Sequence, residues 1–353
     1  MMTICMIVKN ESDIIEETLQ AIKKYGYELV IVDTGSEDNT KDIAFKYTDK
    51  VYDYKWNNNF SDARNFALEK ATNEFVLMID ADEVICEFNV KEVEKIFSLN
   101  SKLVGRISII NEFKCGKISS RNEEKVSRLF SKRYYKYEGS IHEQLINLED
   151  DNINKVDLPL KVFHKGYTKE EINRKNKLER NLLMLKEELK SNLKDPYLLY
   201  QLGKTYYLME DYKEAYKYFD KALDIDLDLN LEYVEELIEC YGYCLLNMER
   251  YEEALKIANL YEFFSSSSDF VFLVGLIYMN NGMFDKSYNE FIKVTKMNNG
   301  KVDGVNGNLA FYNIGVIYEC LGQLEDAEKF YLKCEKYKLA DDGIRRIKKI
   351  DVD

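Results

Sequence analysis

The sequence predicts an α/β domain with a mostly parallel sheet, followed by an all-helical repeat array. Apolar runs alternate with helical segments through the first 90 residues, an order typical of a parallel sheet with helices on both faces. From residue 196 onward, four glycines recur in helical patterns, namely Gly203, Gly242, Gly275 and Gly315. These glycines are 39, 33 and 40 residues apart, and a repeat of about this length indicates stacked helical hairpins, in which each unit packs only on its neighbours.

The α/β domain is predicted to cover residues 1–167. Apolar runs predict buried strands at residues 3–8, 28–33, 51–54 and 75–80. Three helices are predicted between these strands. The first ends at Gly26 and has one apolar face, formed by Ile14, Ile15, Leu19 and Ile22. The second spans residues 38–47, and the third runs from Ser61, as N-cap, to Ala71. Residues 105–111, 125–130, 134–137 and 155–163 predict shorter strands that extend the sheet in antiparallel fashion.

The helical part begins with a linking helix, predicted within residues 168–195, in which Leu178, Leu182, Leu185 and Leu189 recur at helical spacing. Residues 196–353 are predicted to form the repeat array. A small residue follows each glycine by 12 positions, and these residues are Ala215, Ala254, Ser287 and Ala327. Four positions further on come Phe219, Ala258, Phe291 and Tyr331.

This pattern resembles the tetratricopeptide repeat and implies about four repeats. The small residues are expected to let the two helices of a hairpin approach closely, and the aromatic residues to fill the gap to the next hairpin.

The composition argues against a nucleic-acid-binding protein and against a membrane-spanning protein. The 353 residues carry a net charge of −13, so the chain lacks the positive field that non-specific nucleic-acid binding needs. Seven scattered cysteines without a CxxC pair indicate reduced thiols in a cytoplasmic protein. No apolar run approaches the ~20 residues of a membrane span, and the first ten residues are read as a strand and not as a signal peptide.

Two carboxylates follow the fourth predicted strand. Asp80 and Asp82 lie one residue apart where that strand ends, and ligands of open α/β sheets bind beyond the carboxyl ends of strands. Such a pair suits a divalent metal that itself holds a diphosphate. Asp33 ends the second strand and can accept from a ribose hydroxyl or a base N–H, or it simply opens a helix capped by Asp38 and Asn39. The chain has neither GxGxxG after its first strand nor a P-loop.

Four segments of the first domain resemble glycosyltransferase family two. They are ICMIVKNE at residues 4–11, DTGSEDNT at 33–40, NFSDARN at 59–65 and MIDADE at 78–83. Members of this family are inverting nucleotide-sugar enzymes with the A-type fold. Repeats after such a domain resemble the bacterial subgroup that glycosylates peptides or proteins, including peptide S-glycosyltransferases and flagellin glycosyltransferases. The resemblance implies transfer from a UDP-sugar to a Ser/Thr oxygen or a Cys sulfur. Thr34 replaces the second acidic residue of the family's usual turn.

The resemblance implies roles for donor-side residues. The end of the first strand, from Val8 to Glu11, is expected to cradle the nucleotide, with Glu11 near the ribose. Asp33 is expected to read the uracil or ribose, Arg64 to lie near the base and phosphates, and Asp80 to lie near the ribose.

The metal is expected to be held by Asp82 and by His164, which resembles the C-terminal histidine of many A-type folds. A neutral imidazole favours Mn²⁺ over Mg²⁺, and the alternative is a structural role for His164.

The general base is expected within residues 138–144, which resemble the family's acceptor-side motif. Glu143 is the first candidate and His142 the second; His142 otherwise serves as a supporting or core histidine. Arg128 and Arg133 are expected either at the diphosphate or on the surface, and Lys132 on the surface.

The expected partner is a peptide or protein acceptor bound partly by the repeats, with no nucleic acid and no membrane span. Three alternatives stay open at this point. In the first, the enzyme transfers the sugar to a glycan. In the second, the protein is a binding or scaffold protein whose repeats bind the partner and whose catalytic domain is degenerate. In the third, the sheet belongs to a nucleotidyltransferase. The last is disfavoured because no Gly-rich basic loop follows the first strand. The repeats could also serve only to form a homodimer.

Overall fold

The computed structural model describes residues 2–115, 118–149, 152–164, 170–298, 300–335 and 337–350. It divides into two compact units, residues 1–188 and residues 189–353. The predicted domain limit between residues 167 and 168 lies outside the described residues. Helix α5 (Glu170–Ser191) corresponds to the predicted linking helix and continues across the division between the units. The assignment of residues 1–167, 168–195 and 196–353 to separate domains stays a prediction.

Across the described residues, eight strands form one sheet in the order β3-β2-β1-β4-β7-β6-β10-β5. They are β1 (Met2–Val8), β2 (Glu28–Asp33), β3 (Val51–Asp53), β4 (Phe75–Met78), β5 (Glu83–Phe88), β6 (Val104–Cys115), β7 (Ile118–Ser131) and β10 (Lys155–His164). Strands β8 (Tyr135–Glu138) and β9 (Gln144–Asn147) form a separate antiparallel pair.

The sheet is parallel at one side and mixed at the other. Strand β1 is parallel to β2 and to β4, and β2 is parallel to β3. This confirms the predicted parallel core. Strand β7 is antiparallel to both β4 and β6, as the predicted extension requires. Strand β10 differs from that prediction, because it is parallel to β6 and antiparallel only to β5.

Helices cover both faces of the sheet, as predicted. They are α1 (Ile15–Lys23), α2 (Thr40–Ala44), α3 (Phe60–Lys70) and α4 (Val90–Leu99). One buried cluster joins Leu19 of α1 and Val93 of α4 to Ile4 of β1. A second cluster joins Ala67 of α3 to Cys5 of β1. The alternation of Ile4 and Cys5 between the two clusters follows from the period of two along a strand.

Several predicted boundaries are wrong. Asn59, not Ser61, caps α3, because the Asn59 side chain accepts from the Asp62 N–H in an extended backbone conformation. The predicted helix over residues 38–47 is shortened to α2, and β4 ends at Met78, two residues before Asp80. Strand β5 and helix α4 were not predicted, although Val93 and Phe97 of α4 are both buried at helical spacing.

The second unit is helical. It contains α6 (Pro196–Leu208), α7 (Tyr212–Leu223), α8 (Glu232–Asn247), α9 (Tyr251–Ala254), α10 (Tyr261–Phe264), α11 (Ser268–Asn280), α12 (Phe284–Val294), α13 (Ala310–Cys320), α14 (Leu324–Leu332) and α15 (Lys338–Ile350). A 3₁₀ segment (Leu255–Leu260) joins α9 to α10, and a π-helical turn (Val305–Leu309) precedes α13.

The same turn closes four hairpins within the described part of this unit. A residue with left-handed φ follows each repeat glycine by seven positions, and these residues are Glu210, Glu249, Gly282 and Gly322. In each turn the next N–H donates to the carbonyl five residues earlier, at 2.9–3.0 Å. Those carbonyls belong to Tyr206, Leu245, Tyr278 and Tyr318. This Schellman-type ending satisfies carbonyls at the end of the first helix of each hairpin.

The repeat glycines allow close helix packing, as predicted. A Cβ on Gly203 would lie 2.4 Å from Phe219, and one on Gly315 would lie 2.5 Å from Tyr331. Phe219 and Tyr331 fill space within their own hairpins, while Phe291 shares a buried cluster with Ala310 and Ile314 of α13, towards the next hairpin. Tyr331 also contacts α15, where a Cβ on Gly343 would lie 2.7 Å away. In the second hairpin the corresponding residue is Ala258, and the space beside Gly242 is filled instead by Ile257 and by Leu273 of α11.

No helix among the described residues is both long enough and apolar enough to cross a membrane.

Candidate active site at the carboxyl edge of the sheet

The parallel strands bring the predicted donor-side residues to one edge. Val8 ends β1 and pairs in register with Asp33 at the end of β2. The Ile79 N–H donates to Cys5 O of β1 at 3.0 Å, so the chain reaches Asp80 at the same edge. Val8 is buried, and its carbonyl accepts from the Thr34 N–H at 2.9 Å. Any contribution of Val8 is therefore through its backbone.

Asp33 is buried with one carboxylate oxygen occupied and one available. Its Oδ1 accepts from the N–H groups of Gly35 and Ser36 at 2.9 and 2.8 Å. Its Oδ2 has no hydrogen-bond partner within the described residues, although the side chain is 1% exposed. An unsatisfied buried acceptor costs about 1–3 kcal/mol, and a ligand N–H or O–H at this position would remove that cost.

Glu11 follows β1, and the charge of Asp82 affects its pKa. Its backbone N–H donates to Thr40 Oγ1 at 2.7 Å. Burial, followed by the negative charge of Asp82, raises the pKa of Glu11 to about 7, while Lys177 acts in the opposite direction.

Two buried arginines hold Asp80. Arg64 Nη2 donates to its Oδ1 at 3.1 Å, and Arg128 Nη2 donates to its Oδ2 at 2.8 Å. Burial alone would raise the pKa of Asp80, but Arg128 and Arg64 outweigh it and hold the pKa well below its usual range. Arg128 Nη2 also donates to Oε1 of buried Glu83 at 2.7 Å. Asp80 is therefore a fixed carboxylate whose two oxygens both face cations.

Asp82 is paired with His164. His164 Nε2 lies 3.0 Å from Asp82 Oδ2, and His164 Nδ1 lies 2.7 Å from Asn111 Oδ1. The Asn111 amide nitrogen donates to Glu124, which leaves its oxygen to accept from Nδ1–H. In the neutral imidazole, Nε2 then presents a lone pair to a carboxylate oxygen. That contact is favourable only with a proton or a cation between the two atoms. The hydrogen bond to Asp82 raises the pKa of His164, while burial opposes it.

A carboxylate oxygen and an imidazole nitrogen facing each other are a donor set that fits Mn²⁺ or Mg²⁺. No third Asp, Glu, His or Cys completes such a site among the described residues. The remaining ligands of a metal there would be diphosphate oxygens and water.

The predicted base residues lie between β8 and β9. Arg64 Nε donates to Oε1 of Glu143, whose side chain is 12% exposed. The same guanidinium contacts Asp80, so one cation connects the donor-side carboxylate to the candidate base. No hydrogen bond of the described residues uses Glu143 Oε2, so this oxygen is available to a ligand. His142 is half-buried and has a left-handed backbone, with φ of 52°.

Helix α3 holds the loop around Glu143 in place. The Ser61 hydroxyl donates to Gly139 O at 2.6 Å, and the Asn65 side chain bonds both the N–H and the carbonyl of Tyr137 at 2.9 Å. The segment at residues 59–65 thus supports the acceptor-side loop, which its sequence alone did not reveal.

The neighbouring basic residues have different positions. Arg128 is buried in the Asp80 network, and the Arg133 guanidinium lies over the Tyr134 ring, 5.4 Å from its centroid. Lys132 was expected on the surface, but its ammonium donates to Leu68 O and Ala71 O at the end of α3. Uncapped carbonyls at a helix C-terminus attract a cation, which explains the difference. Glu83 and Tyr137 were also missed, since Arg128, which donates to Glu83, and Asn65, which binds Tyr137, lie 45 and 72 residues away from them.

Comparison with known proteins agrees with this arrangement. Residues 3–133 match the model of Glycosyl transferase family 2. Residues 196–228 and 310–341 match tetratricopeptide repeat models. The match to the transferase model therefore includes Asp33, Arg64, Asp80 and Asp82 but ends before Glu143 and His164.

The SPbeta prophage-derived glycosyltransferase SunS of Bacillus subtilis (strain 168) is 31% identical over 222 residues, which cover 62% of this chain and 52% of SunS. The chain thus spans about half the length of this relative. Poly-beta-1,6-N-acetyl-D-glucosamine synthase of Staphylococcus epidermidis is 33% identical over 84 residues, covering 22% of this chain and 20% of that protein.

Among solved structures, YrrB, a TPR protein with an unusual peptide-binding site, aligns with a TM-score of 0.42 and 25% identity over 50% of this chain and 87% of YrrB. The family matches cover the strands from β1 to β7 and the two helical hairpins formed by α6 with α7 and by α13 with α14. The chain therefore contains a glycosyl transferase family 2 domain followed by tetratricopeptide repeats.

Proposed function

We propose that this protein is an inverting glycosyltransferase that moves a sugar from a UDP-sugar to a Ser/Thr oxygen or a Cys sulfur of a polypeptide. The observation that carries the proposal is the buried Asp33 carboxylate, which keeps an unpartnered oxygen at the same strand edge as Asp80 and the Asp82–His164 pair. Donor binding at that edge gives each of these groups a role.

Asp33 Oδ2 accepts the uracil N–H or a ribose hydroxyl. The backbone at Val8 and the carboxylate of Glu11 line the nucleotide, with Glu11 near the ribose. Asp80 lies near the ribose as a carboxylate fixed by Arg64 and Arg128. Arg64 binds Glu143 through Nε and Asp80 through Nη2, and its buried Nη1, which has no hydrogen-bond partner among the described residues, donates to the base or the phosphates.

Asp82 and His164 are the residues that would hold a divalent metal, and Mn²⁺ suits the imidazole better than Mg²⁺. A metal held there supplies positive charge that stabilises the diphosphate leaving group.

Glu143 takes the proton of the acceptor through Oε2, while Arg64 keeps Oε1 in place. The acceptor oxygen or sulfur attacks the anomeric carbon from the face opposite the diphosphate. The bond to the diphosphate oxygen breaks as the new bond forms, so the configuration inverts in one displacement without a covalent enzyme intermediate. His142 stays the alternative base.

The repeats support a polypeptide acceptor. Tetratricopeptide arrays stack into curved surfaces that bind extended peptides, and an enzyme for a small free sugar has no use for such a surface. The thiols of Cys5, Cys240 and Cys244 are free, in keeping with action in the reducing cytoplasm.

The test compares the wild-type chain with Asp33→Asn. The amide keeps Oδ1 for Gly35 and Ser36 but replaces the free acceptor oxygen by a donor. With Mn²⁺, UDP should raise the Tm of the wild type more than GDP does, and Asp33→Asn should reduce the UDP shift. UDP-sugars, offered with and without peptides, should release UDP. A larger shift with GDP contradicts the nucleotide assignment, and no UDP release from any UDP-sugar contradicts the enzyme.

A further inference from the structure

The loop at residues 139–143 has a backbone that needs support. Gly139 has φ of 95° and His142 has φ of 52°. A left-handed conformation is unfavourable for a residue with a side chain, so His142 keeps it only if surrounding contacts hold the loop in place. Glu143 is the next residue. Its position therefore depends on whatever fixes Gly139, Ser140 and His142.

Helix α3 supplies part of that support. The Phe60 N–H donates to Ser140 O at 2.8 Å, and the Ser61 hydroxyl donates to Gly139 O at 2.6 Å. Both bonds engage carbonyl groups. They leave the N–H and hydroxyl donors of Ser140 to another partner.

Helix α5 supplies that partner. Oε2 of Glu188 accepts from the Ser140 N–H at 3.0 Å and also from the Ser140 hydroxyl. The second carboxylate oxygen, Oε1, would lie 3.6 Å from a Cβ on Gly139, so the carboxylate lies directly against the loop. Hydrogen bonds to a charged acceptor are stronger than those between neutral groups, and here they oppose the strain at His142.

We propose that Glu188 is a positioning residue, which holds Ser140 so that Glu143 faces the acceptor. The kinetic part of this proposal rests on the proposed function; the structural part does not. Glu188 lies beyond the residues that match the transferase family model, which end at 133, and beyond the predicted domain limit at residue 167. The working catalytic unit therefore extends through α5 to Glu188, the last residue of the first compact unit.

The experiment uses the full chain with Glu188→Ala, Glu188→Gln and, as the matched control, Glu179→Ala. Glu179 is an exposed acid on the same helix. Three quantities are measured: amide hydrogen exchange of residues 139–143, the Tm shift with UDP and Mn²⁺, and turnover of UDP-sugars to UDP.

Glu188→Ala should speed exchange in residues 139–143 and lower turnover about ten- to hundredfold, as expected for a misplaced catalytic group. The UDP shift should stay near that of the wild type. Glu188→Gln keeps an acceptor for the Ser140 N–H and should recover most of the turnover, and Glu179→Ala should match the wild type in all three quantities.

Unchanged exchange in Glu188→Ala overturns the proposal, and so does unchanged turnover. Loss of the UDP shift together with turnover would indicate a general folding defect and would also overturn it. If the wild type turns over no UDP-sugar, the proposed function fails, and the exchange measurement alone decides whether Glu188 holds the loop.

Discussion

Arg64 donates from Nε to Oε1 of Glu143, which lies 79 residues further along the chain. The same side chain donates from Nη2 to Asp80 at 3.1 Å, and its Cζ lies 5.4 Å from the centroid of the Tyr137 ring. A single buried cation thus joins the turn after β4 to the loop between β8 and β9. Movement of Arg64 would disturb both the donor side and the acceptor side.

Arg64→Ala should destabilise the first unit by about 3 kcal/mol, because breaking a buried pair leaves uncompensated carboxylates. The measurement is the free energy of unfolding from denaturant titration. Arg133→Ala, which removes an exposed arginine nearby, is the control and should change stability by less than about 0.5 kcal/mol. A loss below about 1 kcal/mol for Arg64→Ala would show that the network contributes little to the fold.

Asp82→Asn should weaken metal binding by removing a charged ligand while leaving a side chain of similar size. The UDP-induced Tm shift should then lose its dependence on Mn²⁺, and turnover should fall far more than stability. EDTA should have the same effect on the wild type. Full turnover in EDTA, or in the variant, would remove Asp82 from the metal site.

Glu143→Gln should lower transfer to an alcohol acceptor roughly 10²–10⁴-fold through loss of a general base. The amide oxygen can still accept from Arg64 Nε, so the loop and the UDP shift should be preserved. For a cysteine acceptor the loss should be smaller, since a thiol ionises near pH ~8.5. An unchanged rate with a Ser/Thr acceptor would transfer the role to His142.

Gly203→Ala should destabilise the second unit by about 1–3 kcal/mol, the usual cost of overpacking. The added Cβ would lie 2.4 Å from Phe219. Combining it with Phe219→Leu should cost less than the sum of the two single changes, because the shorter side chain relieves the clash. Additive free energies of unfolding would show that the two residues do not compete for the same space.

A chain ending at Asn192 should still hydrolyse UDP-sugars slowly and should lose transfer to a polypeptide. It keeps Glu188 and lacks the helices from Pro196 onward. Circular dichroism and a UDP shift must first show that it folds. Equal transfer by the shortened and the full chain would disprove acceptor binding by the repeats and would favour a role in dimer formation.

Local sequence signals predicted the parts of the site that follow strands. Asp33 and Asp80 each come directly after an apolar run, with Asp82 two residues after Asp80, and the topology of parallel strands brings such positions together. The repeat glycines were likewise visible, because close packing selects a residue without a side chain at a fixed offset.

Other residues escaped prediction for physical reasons. Arg128 and Glu188 have ordinary charged neighbours in sequence, and their partners Asp80 and Ser140 lie 48 residues away in each case. Burial and pairing of such groups depend on tertiary contacts that no local pattern records. Serine favours the N-cap position, which predicts Ser61 as the cap of α3, whereas Asn59 has the extended backbone that a cap needs.

The hairpins of the second unit differ in how much chain separates them but not in their internal spacing. The aromatic residue follows its glycine by 16 positions in three hairpins, while the glycines themselves are 39, 33 and 40 apart. Length variation is therefore confined to the connections, such as the one between Leu223 of α7 and Glu232 of α8. Leu227 and Leu229 of that connection pack against the buried cluster that includes Val234 of α8, so a fluorescent label placed there belongs on the exposed Asp226.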